Sequence, residues 1–209
     1  MMNARDTVAL FKLIAKEIED NKTYLTELDT AIGDADHGIN LSRGFGAVLP
    51  KLEGEFETVG EVFKTTAMTL ISTVGGASGP LYGTFFLKMA GALGKAEIDL
   101  SDFVGALEIG IEGVKARGKA QKGEKTMLDV LIPVLDSLKN AATTGIPAKD
   151  AFDEALQAAK DGCEYTKTII ATKGRASYLG DRSLGHIDPG CMSSQLMVKA
   201  AAAFLGGKA

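Results

Sequence analysis

Tryptophan is absent from the 209-residue chain, and cysteine and histidine occur twice each, as Cys163, Cys191, His37 and His186. Two cysteines make no disulfide framework, and neither residue type has the spaced partners of a zinc site. Both thiols read as small helix-packing residues in a reducing cytoplasm, and both histidines as hydrogen-bonded or buried. Basic charge is also scarce: 23 Lys and Arg stand against 27 Asp and Glu, a net charge of -4. That balance lacks the footprint of a nucleic-acid or anionic-membrane binder. No apolar run approaches the ~18 residues of a membrane span. The opening "MMNARDTVALFKLIAKEIED" mixes charges of both signs into an apolar period and has no signal-peptide core. The chain therefore reads as soluble and cytoplasmic, with proteins and small molecules as partners and neither nucleic acid nor membrane among them. Strict apolar-polar alternation is missing too, which excludes sizeable strands. Without internal repeats, low-complexity tracts or charged tails, residues 1–209 read as one domain.

What the sequence does contain is helical periodicity and glycine. Val59, Val62, Phe63, Ala67, Leu70, Ile71 and Val74 fall on one stripe of a 3.6-residue period, and similar stripes run through Val8–Ile18, Phe103–Val114, Leu128–Leu138 and Met192–Phe204. The fold class is all-α, with antiparallel helices joined by short loops. Pro133 interrupts the helix expected over residues 126–142 and should kink it. Glycine numbers 25, about 12% against a usual ~7%. The glycines gather at residues 33–46, at "GGASGPLYG" (75–83) and at "GRASYLGDRSLGHIDPG" (174–190). Pro80 and Pro189 follow glycine-bearing loops at positions suited to a helix's first turn, so polar glycine loops lead into helix starts.

Three aspartates, Asp29, Asp34 and Asp36, lie within eight residues, and Gly33 and Gly38 let the backbone curl until their carboxylates converge. Such an oxygen set suits Mg²⁺, Ca²⁺ or Mn²⁺. Helix caps and Asx-turns are the ordinary alternative, and the residues alone leave both open. An EF-hand is excluded, because counting from Asp34 its sixth position is Ile39 and its twelfth is Phe45. "GGASGP", with the Ser78 hydroxyl, offers unhindered N–H groups before a helix, a phosphate seat or a plain helix connection. A polyphosphate facing three carboxylates needs cations between them, since like charges ~4 Å apart cost about 4 kcal/mol at an effective dielectric near 20. The two clusters together read as a magnesium seat for a nucleotide. The third cluster carries Lys173, Arg175 and Arg182 among its glycines; it reads either as a mobile lid that delivers a guanidinium to phosphates or as a solvated loop.

"YLTELDTAIGDADHGINLSRGF", "MTLISTVGGASGPLYGTFF", "RGKAQKGEKTMLDV" and "KGRASYLGDRSLGHIDPG" together resemble the ADP-binding L subunits of phosphotransferase-linked dihydroxyacetone kinases, in order and over essentially the whole chain. The resemblance implies a helical barrel whose rim holds tightly bound ADP or ATP and two Mg²⁺ ions. It implies Asp29, Asp34 and Asp36 as metal ligands, His37, Gly38, Ile39 and Asn40 at the phosphates, and Ser78 and Gly79 on phosphate oxygens. Gly118 and Met127 would line the nucleoside pocket, with Arg175, Asp188, Pro189 and Gly190 closing over it. Departures are few: Cys191 and Met192 follow "DPG" where that pattern has a small residue, and Ile187 is more apolar than the pattern. The implied activity is a relay. A multiphosphoryl M protein of the phosphotransferase system phosphorylates ADP in place, and the ATP phosphorylates dihydroxyacetone held on a K subunit, for which this chain has no room. Two rival readings stand beside it: a free-standing kinase domain for another acceptor, as in fatty-acid kinases, and a nucleotide-bound partner of a transcription regulator. The oligomeric state, a homodimer included, is left open.

Overall fold

Helices begin where the sequence supplies caps. In the computed structural model, which describes residues 1–206, α1 (Ala4–Asp20) follows Asn3, whose side chain accepts the Asp6 amide at 2.9 Å while the Asp6 carboxylate accepts the Asn3 amide at 3.2 Å. After α1 come α2 (Lys22–Ile32), α3 (His37–Val48), a 3-10 turn (Leu49–Leu52), α4 (Val59–Thr73) and α5 (Ser78–Ala92). α6 (Leu100–Gly118), α7 (Leu128–Thr144), α8 (Ala148–Thr166), a 3-10 segment (Arg175–Ser183) and α9 (Pro189–Gly206) complete the order. Thr58 with Glu61 and Asp99 with Asp102 repeat the reciprocal cap at α4 and α6. Gly145 ends α7 in the left-handed region, at φ 73°.

Helix neighbours run α1, α3, α4, α5, α6, α7, α8, α9 and back to α1, which closes a ring; α2 lies across α3 and α9. The ring's interior is one apolar cluster reaching from Ala4 to Ala202. At its centre Phe11, Phe63 and Phe86 meet edge to face, with centroids 5.0, 5.3 and 6.0 Å apart, the arrangement that ring quadrupoles prefer. Ile187, Cys191 and Met192, the departures noted above, are all buried in this cluster.

One detail differs from the sequence reading. A two-stranded antiparallel ribbon exists, β1 (Met2–Asn3) with β2 (Glu97–Ile98), Met2 opposite Ile98. Two residues per strand are too few to show alternation, so no pattern marks it. Pro133 lies inside its helix, as the sequence reading placed it: α7 begins at Leu128 and continues past the proline to Thr144. A proline there cannot donate to the carbonyl four residues back, that of Asp129. α8 covers that carbonyl at Gly162, where an added Cβ would stand 2.3 Å from the Asp129 oxygen. Gly162 thus sets the α7–α8 approach. Gly162→Ala is expected to lower unfolding stability by about 1–3 kcal/mol through overpacking against rigid backbone, read from the midpoint of urea unfolding; an unchanged midpoint would show that the two helices separate freely.

Candidate functional site

Four helices start on the same cavity, of about 430 Å³. Asp36 and His37 from α3, Ser78 and Pro80 from α5, Met127 and Leu128 from α7, and Pro189 and Gly190 from α9 line it, with Gly33 at the end of α2 and Gly118 at the end of α6. Each helix start leaves backbone N–H groups without intrahelical acceptors and carries the positive end of the helix dipole. The N-cap residues of α3, α5 and α7 make no side-chain capping bond. Four starts around one hollow give it a positive floor suited to an anion.

At its edge stand the aspartates. Asp29, buried near the end of α2, accepts the amides of Asp36 at 2.8 Å and His37 at 3.1 Å through Oδ2, so it caps α3 from seven residues away. The capping and ligand readings therefore meet in one side chain. Its Oδ1 lies where Gly33 has no side chain: a Cβ there would stand 1.9 Å away. Ala35 takes φ 61°, a left-handed turn that brings Asp34 and Asp36 to the same side. Asp34 Oδ2 accepts from Arg175 Nε at 2.8 Å. One carboxylate oxygen from each of Asp29, Asp34 and Asp36 falls within 4.8 Å of the others. An all-oxygen convergence with a guanidinium already drawn to it fits a hard divalent cation such as Mg²⁺, held by these three residues.

His37 lies buried between α5 and α9. Its Nδ1 meets Ser78 Oγ at 3.0 Å and its Nε2 meets Ser193 Oγ at 2.9 Å. Burial pulls its pKa down to about 4 despite Asp29 and Asp36, so the ring is neutral at physiological pH. Ser193 continues to the Tyr82 hydroxyl at 2.6 Å, which also meets Ser194 Oγ at 3.0 Å and donates to the Gly190 carbonyl at 3.2 Å. Burial raises the Tyr82 phenol well above its ordinary range. Asp188, half-buried at its surface, accepts the Cys191 amide at 2.8 Å; desolvation raises its pKa to about 7, opposed by that hydrogen bond.

Of the residues singled out from the sequence, Asp29, Asp34, Asp36, His37, Ser78, Gly118, Met127, Arg175, Asp188, Pro189 and Gly190 line the cavity. Gly38, Ile39, Asn40 and Gly79 do not. Gly38 packs on the Lys22 carbonyl of α2 and Gly79 on the Val74 carbonyl. Ile39 is 46% exposed on the outer face of α3. Asn40 is buried, with its Oδ1 accepting from Arg43 Nη2 at 2.7 Å. The cause is helical: α3 begins at His37, so the side chains of the next residues turn away from the cavity while their first-turn amides stay at the helix start. Lys125, Thr126, Asp129 and Tyr82 escaped the sequence reading; the first two line the cavity with Tyr82, and Asp129 accepts the Gly123 and Thr126 amides, the latter at 2.9 Å. Only "EKTMLD" before an apolar stripe hinted at the first three, and only the glycine cluster at 75–83 contained Tyr82. The segment expected as a lid or loop forms 3-10 turns over Arg175–Ser183, broken at Gly180 with φ 55°. Ala171, Ala176 and Leu179 pack it onto Ile32 of α2, leaving Tyr178 86% exposed at its crest.

A ring of helices whose starts share one rim with three convergent aspartates has the form of a candidate phosphate-and-metal site. The chain belongs to the DAK2 domain family, which it matches over residues 31–203. It is 46% identical over 186 residues to the ADP-binding subunit DhaL of PEP-dependent dihydroxyacetone kinase 1 from Listeria innocua, 88% of either chain. To the corresponding PTS-dependent subunit of Lactococcus lactis it is 44% identical over 195 residues, 93% of this chain and 94% of that one. Among solved structures it resembles the dihydroxyacetone kinase from C. freundii in complex with AMP-PNP and Mg²⁺, with a TM-score of 0.72 and 25% identity, covering 94% of this chain and 33% of that chain. No helix among the described residues is long and apolar enough to cross a membrane.

His37 and Asp188 impose opposite pH dependences. His37 has a folded pKa (about 4) below its ordinary 6.5, so its contribution is complete above pH 6.5 and is lost as pH falls toward 4. Asp188 has a folded pKa (about 7) above its ordinary 3.8, so its contribution is complete below 3.8 and is lost as pH rises toward 7. Between about pH 4 and 6.5 the two largely cancel. Asp188→Asn keeps an acceptor for Cys191 and removes the second dependence, so its urea-unfolding stability is expected to climb from pH 4.5 to 6.5 more steeply than the parent's; parallel curves would refute the assignment.

Proposed function

We propose that this chain is the ADP-binding subunit of a PEP-dependent dihydroxyacetone kinase. The observation that supports it most is the convergence of Asp29, Asp34 and Asp36 beside a cavity of about 430 Å³ into which four helices begin. That volume suits a nucleotide. In this reading the cavity keeps ADP, with two Mg²⁺ held by the three aspartates, while a phosphotransferase M protein rephosphorylates it and a K subunit presents dihydroxyacetone. The relatives described above give no support to the fatty-acid-kinase or transcription-regulator readings.

The residues divide the work. Met127 and Gly118 border the nucleoside, and the first turns of α5 and α9 offer their N–H groups to phosphate oxygens. Ser78, held by neutral His37, is fixed in place rather than free to rotate; in the tautomer with Nδ1 protonated its own proton is left to point into the cavity. When bound, Mg²⁺ supplies the charge neutralisation that lets polyphosphate approach carboxylates. Arg175 moves from Asp34 to phosphate oxygens, exchanging one anion for another. No side chain of this chain need act as nucleophile; the acceptor hydroxyl comes on the K subunit, and positioning and electrostatics supply the rate.

Asp34→Asn keeps side-chain volume and removes a charge. Phosphoryl transfer in a mixture with K subunit, phosphorylated M protein and dihydroxyacetone is expected to fall on the order of 100-fold, with the circular dichroism spectrum unchanged. Near-parental transfer would take Asp34 out of the metal seat. In the same assay the parent chain with free ATP and dihydroxyacetone but no K subunit should turn over negligibly; robust turnover would mark an independent kinase.

A further inference from the structure

Lys125 is the least expected buried residue of the molecule. It is 1% exposed, adopts φ 60°, and lies against the cavity wall. Its ammonium group donates to three backbone carbonyls: Thr166, His186 at 2.6 Å and Ile169 at 3.4 Å. An ammonium has three N–H donors, so none is left for a phosphate. The identity of the three acceptors is informative. Thr166 ends α8, where carbonyls lack intrahelical donors and the dipole is negative, and Ile169 follows it; His186 lies at the far end of the same connection, just before α9. The two feet of the 167–188 segment thus meet on one charge. Neighbouring bonds run the same way: the Gly185 amide to the Lys167 carbonyl at 2.8 Å and the Asp188 amide to Thr166 Oγ1 at 3.1 Å. Glu124 adds a hold further along, accepting from Thr172 Oγ1 at 3.0 Å and lying 3.7 Å from Lys173 Nζ.

We infer that Lys125 is a positioning residue that staples both feet of the 167–188 segment, so that Arg175 and the Asp188–Gly190 rim are held over the cavity. Its place in the cavity wall is therefore not that of a phosphate-binding lysine.

The test uses the full chain and needs no ligand for its first arm. In Lys125→Met, which keeps the stem and removes the ammonium, amides of residues 170–186 are expected to exchange with deuterium at least about tenfold faster while those of α4 and α5 are unchanged. Lys125→Arg, which keeps charge and donors, should stay within about threefold of the parent. Loss of protection spread equally through the ring, or a tolerated Met with a disrupted Arg, would mean that the site needs volume alone and would overturn the inference. If Lys125→Met does not fold, Glu124→Gln serves: a smaller loss confined to residues 170–186 supports the staple, and no local change refutes it. The second arm rests on the nucleotide reading and measures release of fluorescent ADP in Mg²⁺, expected about tenfold faster in Lys125→Met. A chain that binds no nucleotide would defeat that reading and leave the exchange arm decisive for the staple.

Discussion

Everything in this molecule is arranged around unpaired backbone N–H groups at one rim. Closing a ring of helices brings the starts of α3, α5, α7 and α9 together, and each start carries donors and a partial positive charge that the fold itself does not satisfy. Placing buried or half-buried carboxylates at the same rim answers part of that demand: Asp29 takes two amides at the start of α3, Asp129 two before α7, and Asp188 one at the start of α9. What remains is a hollow with donors on its floor and an acidic cluster on its lip, a pairing suited to an anion together with a divalent cation.

Three of the four starts are also joined beneath the floor. Ser78 on α5, His37 on α3, and Ser193 and Ser194 on α9 connect through Tyr82 to the Gly190 carbonyl in one buried chain of hydrogen bonds. Every link has a partner, and a satisfied network of this kind resists rearrangement more than its individual bonds suggest. His37 belongs to this scaffold as much as to the cavity.

The helices and the acidic lip were legible because both are local. A 3.6-residue stripe and three aspartates within eight residues announce themselves in one dimension. The glycine loops were legible as helix starts because Pro80 and Pro189 stand in first turns. Lys125, Tyr82 and Asp129 were not, since their meaning depends on partners 41 to 111 residues away for the first two and on burial for the third. Gly38, Ile39, Asn40 and Gly79 show a different limit, since the cavity lining leaves them out although they sit in the first turns of α3 and α5. A motif read as a continuous string assigns neighbours the same role, whereas a helix rotates each successive side chain by about 100° and leaves only the first-turn amides at its start.

Gly33 bears most on how this site tolerates change. The room for Asp29 Oδ1 is the volume that any other amino acid would fill with its Cβ. The same carboxylate holds the first amides of α3 through its other oxygen. A single methyl group at residue 33 therefore displaces an oxygen of the acidic lip and disturbs the first amides of α3 in one movement. Helix start and acidic lip are thus coupled at this position, because one side chain serves both.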